Sequence, residues 1–378
     1  RDAVTINVIA LQEMIKFSKT LPRLESFVHV STAYVHCYDR YTPEAIVRPT
    51  HDPAMILNLI EKENDESLAE MTPSLIYPWP NTYTFTKCLG EWLLHEEADD
   101  FPCCVFRPSI IGCAAEEPLR GWVDNLNAAT GIVAGVGLGL IYPIAGTPSL
   151  KQDIVPVDLC ANAIIALGWS TAVAKPSRIP VYNFTSGKLN PCTWGDFSYW
   201  MQVFFKRCPM KTNTGCPAII ATRSKMLRRL FDVEGRVRMT ILDLLLRING
   251  KKPKLVNLHK KALKGADVLA YFTGNEWDFE SENLDALFNN ISSEDRANFN
   301  FDIKAIRWGE YLVHYCQGTK QYALKDNSHD MAKIRVSMNR YKRNELFQTY
   351  STHSFCLTKD WSGFELGLGS CFCHSSSL

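Results

Sequence analysis

The sequence predicts an α/β fold, with a doubly wound parallel sheet followed by a smaller, mostly helical unit. Residues 25–34 have the pattern of a buried strand that ends on two hydroxyl side chains. Residues 103–106 form a second apolar strand, and the stretch from Lys87 to Leu94 between them has apolar residues at helical spacing. From Val237 onwards apolar residues recur at helical spacing, which predicts the helical unit.

Composition narrows the class of protein. The 378 residues, 46% of them hydrophobic, suffice for one large and one smaller domain. A net charge of +1 gives no electrostatic case for a nucleic-acid partner. Thirteen cysteines without a Cys-x-x-Cys pair are typical of buried free thiols in a reducing compartment. The terminal Cys371-Phe372-Cys373-His374 cluster lacks partner ligands, so we predict no metal site.

A candidate acid–base pair lies at the start of the helix that begins near Pro80. Tyr83 and Lys87 are four residues apart, so both side chains lie on one helix face. An ammonium beside a phenol favours the phenolate and lowers the phenol pKa towards the range useful for proton transfer. The other interpretation makes Tyr83 a packing residue and Lys87 a solvated charge, because a chain with this many tyrosines contains about one such pair by chance.

The order of the segments favours the chemical interpretation. Ser31 and Thr32 end the first strand, and Arg107 begins an Arg-Pro-x-x-x-Gly motif at the end of the second. Ligands of open α/β sheets bind beyond the carboxyl ends of the strands, so hydroxyls there can face a reacting carbonyl. Because side chains alternate along a strand, we expect only one of the two hydroxyls to point at the site.

This ordered set resembles an extended short-chain dehydrogenase/reductase, whose sheet is Rossmann-like. The resemblance narrows to the alcohol-forming fatty acyl-CoA reductases of animal type, and it runs from Arg1 to about Lys325. It rests on Val30-Ser31-Thr32-Ala33-Tyr34, Pro80-Asn81-Thr82-Tyr83-Thr84-Phe85-Thr86-Lys87, Arg107-Pro108-Ser109-Ile110-Ile111-Gly112, Gly121-Trp122-Val123-Asp124-Asn125, Asp153-Ile154-Val155-Pro156-Val157-Asp158, Phe299-Asn300-Phe301-Asp302 and Trp308-Gly309-Glu310-Tyr311.

The resemblance implies a reaction and a place for it. A long-chain fatty acyl-CoA would be reduced by NADPH to a primary alcohol through a bound aldehyde, in ether-lipid or wax synthesis. The implied location is intracellular, at the peroxisome and associated with its membrane.

The resemblance also implies roles for residues. Tyr83 and Thr32 would hold the carbonyl oxygen, Ser31 is the alternative hydroxyl, and Lys87 would lower the tyrosine pKa. The implied cofactor-binding residues are Tyr83, Lys87, Pro108, Ser109 and Ile110. Asn7 falls where related reductases carry a proton-relaying asparagine. The interpretation of Asn7 as an ordinary polar residue in a helix has at least equal weight.

Two features depart from the family. No Gly-x-Gly-x-x-Gly turn follows a first strand, although such a turn lets backbone approach a dinucleotide pyrophosphate. We therefore expect an N-terminally truncated reductase sheet.

Residues 331–343 have the pattern of a basic amphipathic helix, which predicts either membrane-surface association or a solvated helix. From Asn344 onwards no apolar run has the length of a transmembrane anchor.

The predicted organisation has four parts. Residues 1–195 form the later part of the NAD(P)-binding domain, 196–229 a connection, 230–325 the helical domain, and 326–378 a basic helix and divergent tail.

Two other functions stay open. One is a non-catalytic relative that binds lipid or a partner because the glycine-rich turn is absent. The other is an extended reductase acting on a sugar nucleotide or sterol. The sequence does not determine the oligomeric state.

Overall fold

The structure is a computed structural model, which describes residues 1–98, 101–141, 143–215, 217 and 219–328. The predicted basic helix at 331–343 and the cluster around Cys371 lie outside these residues. The helices are α1 (Asp2–Val4), α2 (Ala10–Lys19), α3 (Pro53–Lys62), α4 (Asp65–Leu75), α5 (Thr82–Glu97), α6 (Ala128–Gly137), α7 (Val157–Ala174), α8 (Trp194–Arg207), α9 (Lys225–Ile248), α10 (Leu255–Gly274), α11 (Glu282–Asn290), α12 (Ser293–Asn298) and α13 (Trp308–Gly318).

Short π-helical and 3₁₀ turns occur at Thr5–Ile9, Ala33–His36, Ile303–Ala305 and Thr319–Ala323. The first of these joins α1 to α2, so the three pieces run as one continuous helix. The strands are β1 (Phe27–Val30), β2 (Tyr41–Thr42), β3 (Cys103–Pro108), β4 (Ile110–Gly112), β5 (Pro143–Ala145), β6 (Lys151–Gln152), β7 (Ile154–Pro156), β8 (Val181–Phe184), β9 (Cys192–Thr193), β10 (Ile220–Thr222) and β11 (Asp278–Phe279).

Three strands form the sheet that organises the first half of the chain. Their order is β1-β3-β8, and both neighbouring pairs are parallel. Alternate residues of β3 face opposite sides. Val105 packs in a core with residues of α2 and α5, whereas Phe106 packs in a separate core with residues of α7. Helices on both faces of a parallel sheet make the doubly wound architecture, so the predicted α/β class with a helical C-terminal region is confirmed.

Helix α7 is both long and apolar. Within the described residues it is the single helix long and apolar enough to cross a membrane, judged by length and composition alone. Its inner face, which includes Leu159, Ala163 and Leu167, packs on the sheet in the same core as Phe106. This packing makes α7 one of the helices that cover the sheet.

A third core lies between helices later in the chain. Residues of α6, α8 and α13 form most of it, including Val133, Phe197 and Tyr315. Helices α9 and α10 pack against its edge through partly buried side chains such as Leu242 and Leu269.

Local sequence mispredicts two regions. The glycines and Pro143 of residues 131–146 predict a loop or cover over a pocket, but the structure shows that α6 occupies the first half and is buried. The many prolines of residues 38–80 predict a long structured loop, yet these residues contain α3 and α4. Pro53 opens α3 at the helix N-terminus, where its missing N–H costs nothing.

Candidate active site

The predicted site segments meet at the carboxyl edge of the sheet. The backbone N–H of Ser31 donates to the carbonyl oxygen of Phe106 at 2.8 Å, which sets the end of β1 beside the end of β3. The N–H of Ser109 donates to Phe184 of β8 at 2.9 Å. Ser31 and Thr32 therefore lie next to the segment Pro108–Ile110, at the edge where ligands of parallel sheets bind.

Helix α5 carries Tyr83 and Lys87 to this edge. It begins at the N-cap Asn81, whose side chain accepts a hydrogen bond from the Thr84 N–H at 2.9 Å. One turn into the helix, the Lys87 ammonium donates to the carbonyl oxygen of Val30 at 3.0 Å. Lys87 thus reaches the last residue of β1, and Tyr83, 49% exposed, stands half open to solvent at the same edge.

The pKa of Tyr83 differs from the sequence expectation. Lys87 was expected to lower it, but the structure shows a raised pKa because desolvation of the phenol outweighs the opposing effect of a hydrogen bond with Thr32. The Lys87 ammonium is directed at the Val30 carbonyl, and burial lowers the pKa of Lys87 itself. Tyr83 is therefore a protonated phenol at neutral pH, which suits a proton donor.

The two adjacent hydroxyls have different neighbours. Thr32 lies beside the Tyr83 phenol, and its side chain also accepts from the Tyr34 N–H at 3.3 Å, which caps the 3₁₀ turn. Ser31 Oγ is buried without a hydrogen-bond partner among the described residues, and it lies near the Glu91 carboxylate, whose pKa it helps to lower. Which of the two hydroxyls points at the site stays a prediction, as does the assignment of Thr32 to catalysis.

Sequence analysis missed the buried ion pair behind the site. The Arg107 guanidinium donates from Nε and Nη2 to the two Glu91 carboxylate oxygens at 2.8 Å and 2.5 Å. It also donates to the carbonyl oxygens of Pro43 and Ala45, both at 2.9 Å. Both side chains are fully buried, and Arg107 holds the pKa of Glu91 below its usual range despite that burial. The sequence did contain one signal for this ion pair. Glu91 follows Lys87 by four residues and Tyr83 by eight, so the three side chains share one face of the helix.

Two histidines flank this ion pair. His29 on β1 and His36 after it are buried, and burial lowers the pKa of each to about 4. The nearby Arg107 lowers both values further, while Glu91 opposes the shift. Both side chains are therefore neutral at pH 7. Nothing in the local sequence signals this, because the shift depends on tertiary burial.

Unpaired hydroxyls test whether a nicotinamide cofactor fits this edge. Ser109 Oγ and Thr185 Oγ1 follow β3 and β8, are buried, and have no hydrogen-bond partner among the described residues. Buried polar atoms rarely stay unpaired in a complete assembly, so both atoms are suited to a polar ligand. Together with Lys87, they fit the ribose and carboxamide of a nicotinamide.

Asn7 lies against α5. Its side-chain amide donates to Thr86 Oγ1 at 2.9 Å, and it sits in the π-helical turn between α1 and α2. Such turns often mark functional positions. A relay through Asn7 stays a prediction.

Comparison with known sequences identifies the family. The NAD-binding family described as male sterility protein matches residues 1–164, and a second family of the same description matches residues 236–326. Fatty acyl-CoA reductase 2 of Mus musculus is 35% identical over 351 residues, which cover 92% of this chain and 68% of that protein. This chain belongs to the fatty acyl-CoA reductase family.

Other members give the same result. Fatty acyl-CoA reductase 2 of Homo sapiens is 36% identical over 91% of this chain and 66% of its own length. Fatty acyl-CoA reductase 1 of Homo sapiens is 34% identical over 90% of this chain and 67% of its own length. The chain thus spans about two thirds of the length of these curated relatives.

Solved structures give weaker similarity. The reductase domain of a nonribosomal peptide synthetase from Mycobacterium tuberculosis superposes with a TM-score of 0.48 at 18% identity, covering 79% of this chain and 61% of that one. The reductase domain of the aureusimine biosynthetic cluster gives a TM-score of 0.48 at 13% identity, covering 85% and 66%.

Proposed function

We propose that this protein reduces a long-chain fatty acyl-CoA to the primary alcohol, through a bound aldehyde, with NADPH as reductant. Family membership supports the substrate class. The observation that carries the proposal is the meeting of Tyr83, Thr32 and Lys87 at the carboxyl edge of the sheet.

The residues of this edge have defined tasks in the proposed reaction. When bound, NADPH supplies one hydride to the carbonyl carbon in each of two reductions. Negative charge then develops on the carbonyl oxygen, and the Tyr83 and Thr32 hydroxyls donate hydrogen bonds to it. In the first reduction the tetrahedral adduct collapses and releases CoA thiolate, leaving the aldehyde. In the second, Tyr83 gives its proton to the alkoxide and completes the alcohol.

The protonation state of Tyr83 suits the proposed role of proton donor. The raised pKa of Tyr83 keeps the phenol protonated at neutral pH, so the proton needed by the alkoxide is in place. Lys87 would hold the nicotinamide ribose with its ammonium, and the buried hydroxyl of Ser109 would meet the nicotinamide side of the cofactor.

The test measures stoichiometry with palmitoyl-CoA in the full-length protein. We expect two NADPH oxidised and one free CoA thiol released per hexadecanol, and much slower turnover with NADH. Hexadecanal accumulating as a free product, or reduction of palmitate without CoA, would contradict the proposed sequence of steps.

Ether-lipid or wax synthesis and a peroxisomal, membrane-associated location extend the proposal through family membership. Measuring fatty alcohols and plasmalogen ether lipids in cells that lack the protein tests the first. Imaging the tagged full-length protein beside a peroxisomal marker tests the second.

A further inference from the structure

Helix α9 presents an apolar stripe to solvent along its whole length. Its 24 residues span about 36 Å. Seven large apolar side chains recur every three or four residues, and each is between 54% and 73% exposed: Met226, Leu230, Val233, Val237, Ile241, Leu244 and Ile248. Such a continuous exposed stripe marks a surface that contacts another apolar phase or partner.

The stripe points directly away from the protein body. Gly235, Met239 and Asp243 are the buried residues of α9, and they recur every four residues on the opposite face. Gly235 packs on the His259 ring of α10, where a Cβ would lie 2.7 Å from the imidazole. The Asp243 carboxylate accepts from three backbone N–H groups at the start of α10. These contacts fix the rotation of α9, so the stripe faces outwards.

Helices α9 and α10 pack together as a helical hairpin, and positive charge is concentrated on it. Residues 225–264, which hold α9 and the first half of α10, contain twelve Lys or Arg and three Asp or Glu, a net charge of +9. The whole chain carries only +1, so the remainder is net negative. Arg229, Arg236 and Arg247 are exposed and line one flank of the apolar stripe at helical spacing.

We propose that α9 lies in the interface of an anionic lipid bilayer, with its apolar stripe among the acyl chains and its arginine flank on the lipid phosphates. A large apolar face beside clustered basic residues is the pattern of interfacial helices. A second copy of the chain fits less well, because pairing the stripes would bring two +9 hairpins together.

Helix α7 shows that apolar exposure alone does not define this surface. Ile165, Trp169 and Val173 form an exposed stripe on α7 and are 53% to 67% exposed. Residues 157–174 contain no Lys or Arg. The two stripes are therefore alike in exposure and differ in charge, which makes α7 a matched control.

The hairpin is joined to the active-site edge. The Tyr271 hydroxyl near the end of α10 donates to the Cys37 carbonyl oxygen at 2.8 Å, and the Phe272 ring meets the Tyr34 ring edge-on at 5.1 Å between centroids. Tyr34 follows Thr32 by two residues. A bilayer that holds α9 would thus hold the Thr32 edge at a fixed place relative to the lipid.

Vesicle co-sedimentation of the full chain tests the proposal, with circular dichroism to confirm that each variant is folded. We expect binding to vesicles of phosphatidylcholine with about one third phosphatidylserine, weak binding to pure phosphatidylcholine, and weaker binding at high salt. Replacing the stripe (Leu230→Gln, Val237→Gln, Leu244→Gln) or the flank (Arg229→Gln, Arg236→Gln, Arg247→Gln) should lower the partition coefficient by at least about tenfold.

The control replaces the α7 stripe (Ile165→Gln, Trp169→Gln, Val173→Gln) and should bind as the wild type does. Three outcomes would overturn the proposal. The first is a wild-type chain that stays in the supernatant with anionic vesicles, and the second is an equal loss of binding from the α7 and α9 variants. The third is a wild-type oligomer that binds no vesicles and that the α9 stripe variant converts to a monomer. If the triple stripe variant is unfolded, Val237→Gln alone and the flank variant decide between these outcomes.

Discussion

The carbonyl oxygen of Asn7 lies against the Cα of Gly90, only 2.8 Å from where a Cβ would stand. This contact lets the helix around Asn7 pack directly on α5, the helix that carries Tyr83 and Lys87. A side chain at position 90 would separate the two helices, because a backbone carbonyl cannot rotate away as a flexible side chain can.

Gly90→Ala should therefore destabilise the protein although alanine favours helix more than glycine does. We expect a loss of about 1–3 kcal/mol in the free energy of unfolding from overpacking. Gly265→Ala on α10 is the matched control, since no atom lies within 4 Å of its added Cβ, and it should be neutral or stabilise by up to about 1 kcal/mol. Urea denaturation of both variants measures the difference, and a Gly90→Ala protein as stable as Gly265→Ala would show that the two helices separate freely.

Tyr83→Phe should abolish alcohol formation in the full-length protein while leaving its stability unchanged. The variant removes one hydroxyl from a half-exposed ring, so packing is kept while the proton donor and one hydrogen bond to the carbonyl oxygen are lost. We expect kcat with palmitoyl-CoA to fall by about 10³-fold or more. Tyr77→Phe, at a tyrosine that is more exposed, serves as the control. Near-normal turnover by Tyr83→Phe would mean that another group supplies the proton.

Thr32→Ala should lower turnover more than Ser31→Ala, because Thr32 lies beside the Tyr83 phenol whereas Ser31 lies near the Glu91 carboxylate. The expected loss for Thr32→Ala is about 10²-fold in kcat. Thr32→Ser keeps the hydroxyl and should recover most of the activity, which separates hydrogen bonding from packing. Equal losses at the two positions, or a larger loss at Ser31, would reverse the assignment.

Stability should fall as the pH drops from about 6.5 towards 4. His29 and His36 have a pKa of about 4 in the folded chain and near 6.5 when unfolded, so the unfolded state binds more protons within this window. Each histidine contributes about 3 kcal/mol of this loss. Asp153 opposes it in part, because burial raises its pKa to about 6 and the folded carboxyl takes up a proton first.

The variant His36→Gln isolates one histidine, since glutamine cannot titrate. Its free energy of unfolding, measured by urea denaturation at several pH values, should decline less steeply below pH 6.5 than that of the wild type. His95→Gln, at an exposed position, should follow the wild-type profile. A slope unchanged by His36→Gln would show that His36 is already protonated or solvated in the folded chain.

Local patterns were enough to predict the central elements of the fold. Apolar spacing predicted a strand within residues 25–34 and another at 103–106, where the structure has β1 and β3. The Pro80-Asn81 start signal predicted the beginning of α5. Helix α6 could not be predicted in this way, because its glycines are local helix breakers. They are tolerated where neighbours come close: a Cβ on Gly137 would lie 2.6 Å from the Phe205 ring.

The candidate site shows the same division. The chain order of Thr32, Tyr83 and Lys87 predicted which segments would meet, because parallel strands end at one edge. The pKa of Tyr83 could not be predicted, since it depends on how far neighbouring atoms desolvate the phenol and on where the Lys87 ammonium is directed. The partner of Arg107 was equally hidden, because that contact joins a strand to a helix sixteen residues earlier.

The buried pair of Arg107 and Glu91 restricts which parts of the protein can move during turnover. It ties α5, which carries the acid–base residues, to the end of β3, where the Pro108–Ile110 segment begins. Arg107 also holds the chain after β1 through the carbonyl oxygens of Pro43 and Ala45. Separating these pieces would leave a guanidinium and a carboxylate unpaired in an apolar interior, at a cost of several kcal/mol. The reacting edge therefore behaves as one rigid body. Any opening that admits a long acyl chain or releases the alcohol must occur in the elements that surround it.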